Sequence, residues 1–286
     1  MSTQMQPQTT AATGFTDLSA RDRVRSLLDP GTMHELLTPF DRLTSPWLEK
    51  QGVVPQFDDG VVIARGKING QNTLVAAIEG SFQGGSLGEV GGAKIAGALE
   101  LAIEENRNGN PTSAVLVLET GGVRLQEANL GLAAIADIQS AIVELRAMQP
   151  VVAVITGPVG CFGGMSISAG LCSYLIMTRE GRLGLNGPQV IEQEAGVNEY
   201  DSRDRGLIWG LTGGEQRFQC GLIDQLVSGS VGDTRSAVVQ CLASGVPAVH
   251  PSEAWLQHKD ALQAIDMDQP MTPSYARQIL QQGDDQ

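Results

Sequence analysis

Aromatic residues make up only 4% of the chain, histidine occurs three times (His34, His250, His258), and 19 lysines and arginines face 32 aspartates and glutamates. The resulting net charge of −13 argues against a nucleic-acid partner, because such binding is dominated by cationic contacts to phosphate. It leaves room for a phosphorylated small molecule, which needs only a local basic patch. The four cysteines, Cys161, Cys172, Cys220 and Cys241, have no C-x-x-C spacing. Neither a zinc ribbon nor a redox dithiol is therefore indicated, and no metal is expected. Most of them sit in or beside apolar segments, as reduced, buried thiols of a cytoplasmic protein would. No apolar run reaches the length of a membrane span, and no signal-peptide core opens the chain. The expectation is a soluble cytoplasmic protein with no membrane partner.

What the chain has in excess is glycine, 35 of 286 residues. These glycines cluster beside apolar runs, which points to close backbone approaches rather than to low complexity. A composition of 42% hydrophobic and 18% charged residues is that of a globular protein large enough to bury a sizeable core. Residues 1–16 read as a mobile, polar tail, and residues 17–286 as a single domain with a helical N-terminal arm and a helical C-terminal extension. Ser19 and Asp22 resemble a capping box for a short helix, and Asp29-Pro30-Gly31 stops it. Arg21, Arg23 and Arg25 on that helix read as a solvated face, with phosphate binding the minor alternative.

Val61–Ile68 and Thr73–Ile78 read as a hairpin turning at Asn69-Gly70-Gln71-Asn72. A helix to about Asn106 follows a glycine-rich loop, and Ala114–Leu118 is a fully apolar strand, as expected when both faces are covered. Leu125, Ala128, Leu132, Ile135, Ile138, Ile142 and Leu145 recur at helical spacing. Val151–Ile155, Tyr174–Met177 and Leu183–Leu185 read as further strands, and residues 231–286 as outlying helices. Gly84-Gly85, Gly121-Gly122 and Gly163-Gly164 each fall between a strand and a helix, 37 and 42 residues apart. That regularity predicts repeated turns of one α/β unit on a largely parallel sheet.

A glycine pair opening a helix exposes backbone N–H groups that a substrate oxygen can approach closely, and such donors can hold an oxyanion. A tight strand-to-helix turn is the alternative for any single pair; two similar pairs shift the weight towards function. Gly84-Gly85-Ser86-Leu87-Gly88 also matches the G-x-S-x-G nucleophile elbow. No histidine has a strand-end context to serve it, so a hydrolase is disfavoured. Glu119, Glu127, Glu192 and Glu194 read as helix caps or solvent-facing carboxylates. Cys161 lacks a neighbour that would lower its pKa and reads as a small packing residue.

Taken in order, S-A-R-D-R-V-R-S-L-L-D-P-G-T-M-H-E-L, G-G-S-L-G-E-V-G-G-A-K-I, T-G-G-V-R-L-Q-E and P-V-V-A-V-I-T-G-P-V-G-C-F-G-G-M-S-I-S-A-G with L-G-L-N-G-P-Q-V-I-E-Q-E resemble the acyl-CoA carboxyltransferase family over about residues 19–227. D-D-G-V-V-I-A-R-G, I-E-G-S-F-Q-G-G-S and G-L-C-S-Y-L-I-M-T-R-E-G-R-L-G-L-N-G-P are similar to the beta subunits of biotin-independent malonate decarboxylases within it. The resemblance implies a crotonase-like spiral of strand-strand-helix turns. It also implies decarboxylation of malonyl-S-acyl carrier protein, with a CoA-derived prosthetic arm as substrate carrier and neither biotin nor metal. A gamma subunit would complete the active site, and an alpha subunit and the carrier protein would complete the assembly. By position, Gly121, Gly122, Gly163 and Gly164 correspond to the family's two oxyanion holes. Gly84, Gly85, Ser86, Arg124, Cys161 and Phe162 are the substrate-binding candidates, and Arg21, Arg23, Arg25 and Arg124 are candidates for the prosthetic arm on charge alone. Two alternatives stay open: a carboxyltransferase subunit of a biotin-dependent enzyme, and a non-catalytic scaffold that docks the carrier protein. The chain has no cysteine before Cys161, unlike the zinc-ribbon subunits of acetyl-CoA carboxylases.

Overall fold

The Asn69-Gly70 dipeptide reverses the chain between two strands of equal length, and the sheet grows outward from that hairpin. Both residues sit at positive φ, 49° and 80°, the backbone of a two-residue turn whose twist matches the strands it joins. The turn is thus tighter than the four residues expected. The computed structural model describes residues 14–263 and 265–281. Its seven strands lie in chain order in one sheet: β1 (His34–Leu36), β2 (Val61–Ile68), β3 (Gln71–Ile78), β4 (Ser113–Leu118), β5 (Val151–Ile155), β6 (Tyr174–Thr178) and β7 (Gln225–Val227). β1, β2 and β3 are antiparallel neighbours, and every pairing from β3 to β7 is parallel.

Helix α1 (Ala20–Leu27) and the short α2 (Pro46–Lys50) precede the hairpin; α3 (Glu89–Arg107), α4 (Asn129–Leu145) and α5 (Gly164–Gly170) are the crossovers of the parallel part. The small helices α6 (Pro188–Ala195), α7 (Arg205–Thr212) and α8 (Gly214–Gln219) lead into β7, and α9 (Val231–Ser244), α10 (Trp255–Gln263) and α11 (Pro273–Gln281) close the chain. Ser19 caps α1 by accepting the Asp22 N–H at 3.2 Å, as its spacing predicts.

Between each of β3, β4 and β5 and its helix runs a second extended stretch. These stretches meet through parallel bridges, Leu87 to Val123, Thr120 to Cys161 and Cys161 to Leu183. Strand, bridging stretch and helix therefore repeat as the spiral expectation requires. The stretch expected as a strand at Leu183–Leu185 contributes only such a bridge.

β4 shows why its sequence is apolar throughout. Ala114, Leu116 and Leu118 pack with α3 and α4 on one face, while Val115 and Val117 pack with Val24 and Leu27 of α1 and Val238 of α9 on the other. Alternate side chains point to opposite faces, and both faces are covered. Helix α9 thus builds the core rather than lying outside it. Phe15 is fully buried and its N–H bonds Gly229 O at 2.7 Å, so ordered structure begins inside the segment drawn as a tail; residues 1–13 lie outside the described residues. The helix predicted from Leu125 starts later. Residues Leu125–Glu127 form a 3-10 turn, and Ala128 at φ 47°, ψ −121° breaks the run before α4. Leu125 and Leu132, the first leucines of that periodic set, are exposed.

Candidate active site

The three glycine pairs are brought together, one on each successive turn of the spiral. Gly121 N–H donates to Gly84 O at 2.9 Å, and Phe162 N–H to Thr120 O at 3.0 Å. A Cβ on Gly163 would stand 3.1 Å from Gly122 Cα, and one on Gly122 would stand 3.3 Å from Gly163 Cα. Gly122 and Gly163 also have φ of 109° and 63°, values that L side chains rarely adopt. The first and second loops therefore touch backbone to backbone. Gly121 is exposed and Gly163 and Gly164 are half-buried, so this junction opens to the surface. The elements that flank it, the 3-10 turn at Leu125–Glu127, α4, α5 and α6, carry the exposed apolar residues Leu125, Leu132, Ile167 and Val190, and Leu185 is exposed too.

Not every glycine N–H is available to a ligand. Gly121 donates to Gly84 O, Gly122 to Thr120 Oγ1 at 3.0 Å, and Gly163 to Leu185 O at 2.8 Å. The N–H groups of Gly164 and Met165 have no partner among the described residues, nor has that of Val123. Val123 N lies 3.9 Å from the Cβ position of Gly163. Leu87 N–H bonds Gly122 O and Arg124 N–H bonds Leu87 O, both at 2.8 Å, so the bridging stretch turns the Val123 N–H away from its neighbour. Sequence reasoning missed Val123, because a valine after a glycine pair carries no signal of which way its amide points.

Beneath the loops lie buried charges. Arg124 is 1% exposed. Its Nη1 donates to Asp59 Oδ1 and to Glu127 Oε1, each at 2.9 Å, and its Nη2 donates to Ser86 O at 2.8 Å. Burial pushes the Asp59 carboxyl up, while the Arg124 charge and the Gly91 N–H pull against that rise. Glu127 accepts the Glu89 N–H at 2.7 Å and Asp59 accepts the Gly91 N–H at 2.9 Å, which satisfies donors at the start of α3. A second pair, Arg23 Nη1 to Glu119 Oε2 at 2.6 Å, ties α1 to the end of β4. Arg23 also donates to Phe15 O and Thr16 O.

These networks correct several expectations. Glu119 is a buried ion-pair partner, neither cap nor solvent-facing, while Glu127 is a buried ion-pair partner that also caps α3 through the Glu89 N–H. Arg23 is buried rather than solvated, and Arg21 is held by Glu35 and Asp58. Arg25 alone of the three lies exposed, against Asp22. Arg124 and Arg23, candidates for the prosthetic arm, are consumed by carboxylates below the loops. Ser86 accepts from Arg124 Nε at 3.4 Å, with no histidine partner among the described residues. The Ser86 backbone at φ −66° also lacks the strain of a nucleophile elbow. Gly85 sits against β4, where a Cβ would come within 1.9 Å of Glu119 O. Cys161 is fully buried, and burial raises its thiol far above the usual range. Phe162 is buried beside the second loop, its ring 5.4 Å from the Arg182 guanidinium. Glu192 accepts the Ser202 N–H at 2.7 Å and lies outside the loop junction. Among the described residues no group of three or more histidine, cysteine or acidic side chains could hold a metal ion, and no helix is long and apolar enough to cross a membrane.

Comparison with known proteins places this geometry. The chain is 41% identical over 239 residues to the malonyl-S-ACP:biotin-protein carboxyltransferase of Malonomonas rubra, covering 79% of this chain and 75% of that one. A crystal structure of a Pseudomonas malonate decarboxylase hetero-tetramer in complex with malonate holds a chain 62% identical to it. The two superpose with a TM-score of 0.92, covering 94% of this chain and 98% of the other. A transcarboxylase 12S subunit, crystallised with methylmalonyl-coenzyme A and methylmalonic acid, matches at TM-score 0.65 and 26% identity over 77% of this chain and 40% of that one. The spiral of stacked glycine loops is the crotonase-like fold these enzymes share. Residues 16–209 match the model of the carboxyl transferase domain, and the chain belongs to that family.

Proposed function

We propose that the chain is the beta subunit of a malonate decarboxylase, converting malonyl-S-acyl carrier protein to acetyl-S-acyl carrier protein and CO2. In the reaction the bond from the malonyl methylene to its carboxylate breaks, and CO2 departs. The electron pair moves into the thioester, whose oxygen carries the charge as an enolate until the carbon takes a proton. Such a step needs fixed donors where charge develops and little water around them.

The observation that carries this reading is the loop junction. Two glycine loops in backbone contact present N–H groups of Val123, Gly164 and Met165 that nothing among the described residues uses. One such donor is typically worth roughly 2.7–4 kcal/mol of barrier. Gly121, Gly122 and Gly163 shape the junction and keep it open, while the neighbouring amides face the enolate. A gamma subunit closes the site over the exposed apolar residues of the flanking elements, Leu125, Leu132, Ile167, Leu185 and Val190, since exposed apolar surface is what a partner covers. The alpha subunit and the carrier protein, with its CoA-derived arm, supply the malonyl thioester.

The test is to mix the chain with its gamma partner and carboxyl-labelled malonyl carrier protein, with and without avidin. Labelled CO2 released at the same rate in both supports the reading. The Malonomonas relative transfers carboxyl to a biotin protein, which favours a second reading: the junction passes the carboxylate to biotin. Release that requires a biotinylated acceptor and stops with avidin would establish that reading instead. No release under either condition would leave the chain as a docking scaffold.

A further inference from the structure

Behind the second glycine loop, three arginines have no acid beside them. Arg182, Arg205 and Arg217 form no ion pair with any described carboxylate, whereas Arg21, Arg23, Arg124, Arg179 and Arg235 all do. Arg42, Arg146 and Arg277 also lack an ion pair among the described residues, but Arg42 is exposed and the other two spend their Nη groups on neutral acceptors. Arg182 Nη2 donates to Pro158 O at 2.6 Å and to Val159 O at 3.2 Å, but its Nε–H is buried with no partner among the described residues. Arg217 Nε donates to Leu183 O at 2.9 Å, and its two Nη groups have no partner among the described residues. The Tyr200 hydroxyl is buried, also with no partner among the described residues, and feels the charge of both Arg182 and Arg217.

The surroundings fix Arg182 and keep water from its Nε and from the Tyr200 hydroxyl, whereas Arg205 is exposed. Arg182 stacks on Phe162 at 5.4 Å and on Trp209 at 4.6 Å, and Arg205 lies 5.0 Å from Trp209. Burial disfavours the charged form of Arg182 and Arg217, and it raises the Tyr200 phenol, which stays a neutral O–H donor at neutral pH. The Arg182 Nε–H and the Tyr200 O–H are buried donors left unmade, which is costly, and the Arg217 Nη groups are free to join them. An oxyanion placed among them satisfies the Arg182 Nε–H, the Arg217 Nη groups and the Tyr200 O–H together, and offsets the mutual repulsion of the guanidiniums.

We infer that Arg182, Arg217 and Tyr200 form a subsite for a phosphate group, set against the second glycine loop through Phe162. The choice of phosphate rests on the malonyl-thioester reading above. A guanidinium pair holding the malonyl carboxylate would stabilise the charge that must leave it, and binding that favours the ground state raises the barrier. The subsite therefore suits an anion that does not react, and the CoA-derived arm carries one.

The full chain labelled with 13C at tyrosine Cζ shows three tyrosine types of position, Tyr174, Tyr200 and Tyr275, and Tyr200→Phe assigns the resonance of Tyr200. Titration with inorganic phosphate at constant ionic strength is expected to shift Tyr200 saturably and leave the other two in place. Arg182→Gln is expected to weaken that binding at least tenfold. Tyr200→Phe, which keeps the ring, should weaken it severalfold when followed by 31P line width. A shift that never saturates, or that chloride reproduces at equal ionic strength, overturns the subsite. So does a response to malonate but not to phosphate, which would make it a carboxylate site. The titration involves no turnover, so saturable phosphate binding by a chain that fails to release CO2 retains the subsite and rejects the thioester reading. CO2 release without phosphate binding rejects the subsite alone.

Discussion

Replacing Arg124 with methionine removes one cation from beneath the first glycine loop and leaves two buried carboxylates facing each other. Arg124, Asp59 and Glu127 are 1%, 0% and 4% exposed, so water cannot take over the solvation of either acid. Methionine keeps much of the arginine stem, so the cavity contribution stays small. The main cost is the orphaned charge, about 3–5 kcal/mol for a buried pair that loses one partner. At roughly 2–4 °C per kcal/mol for a domain of this order, the melting temperature should fall on the order of 10 °C. The pH dependence separates this cause from lost packing. Burial already raises the Asp59 pKa against the pull of Arg124, and without the arginine it rises further. A carboxyl whose folded pKa exceeds its unfolded value penalises folding only while ionised. The penalty is therefore full above the folded pKa and fades as pH drops below it. Urea midpoints of parent and variant at pH 8, 7 and 5.5 should converge towards acid. A loss under about 1 kcal/mol at pH 8, on a scale where buried pairs cost 3–5, would refute the reasoning, as would a loss that does not change with pH.

Gly164→Pro deletes the N–H of Gly164 at the first position of α5, where proline is compatible with the helix. Gly164→Ala adds the same Cβ, 2.9 Å from Ile135 Cγ2, but keeps the N–H. Decarboxylation by the proline variant should fall about 10²–10³-fold below the alanine variant, and equal rates would remove Gly164 from the oxyanion assignment. The thiols should be inert in the folded chain. All four cysteines are buried, with Cys172 and Cys241 pushed up to about 12 by burial, so alkylation at pH 8 should be far slower than in urea. Fast labelling of Cys161 without urea would contradict its burial. The N-terminal arm should loosen in acid. Hydrogen bonds from the Gly70 and Asn69 N–H groups hold Asp29 below its usual range. Burial opposes the ionised Glu79, but the Ala20 N–H and Ser81 outweigh it, so that carboxyl is lowered too. Depressed carboxyls stabilise above their unfolded pKa of about 4 and lose that contribution as pH falls through the folded values. Hydrogen exchange in α1 should accelerate between pH 5 and pH 3 more than in β4, once intrinsic rates are corrected; equal changes would refute the link.

Regular periodicity carried most of the fold. The hairpin, β4, β5, α3 and most of α4 follow from patterns that local burial enforces, because a strand covered on both faces has to be apolar throughout. What escaped was set by distant contacts. β1 and β7 are three residues each, too short to show a pattern, and exist because the sheet edges offer them partners. α4 begins four residues late because Arg124 and Glu127 turn inward to Asp59, 65 residues from Arg124 in sequence. No local pattern tells Leu125, which faces outward, from Ile135, which faces the core. The arginines of α1 show the same limit: their spacing looks like a solvated face until Glu119 and Glu35 are seen beside them.

The glycine pairs stood out in the sequence because they repeat, but single glycines around them have a different task. Gly80 and Gly157 face the Glu119 carboxyl, and a Cβ on either would come within 2.4 or 2.0 Å of its Cδ. Gly88 leaves the same room for Glu127, at 2.2 Å from Oε1. Those glycines admit buried carboxylates that anchor the loops from behind, and they bind nothing. Once anchored, the loops can press together at Gly122 and Gly163, spending the N–H groups of Gly121, Gly122 and Gly163 on their own support. A loop held so firmly cannot lend those same amides to a substrate. On the proposed reading the donors are therefore the next residue along each loop, Val123 after Gly121-Gly122 and Gly164 after Gly163, where rigidity and an unused N–H coincide.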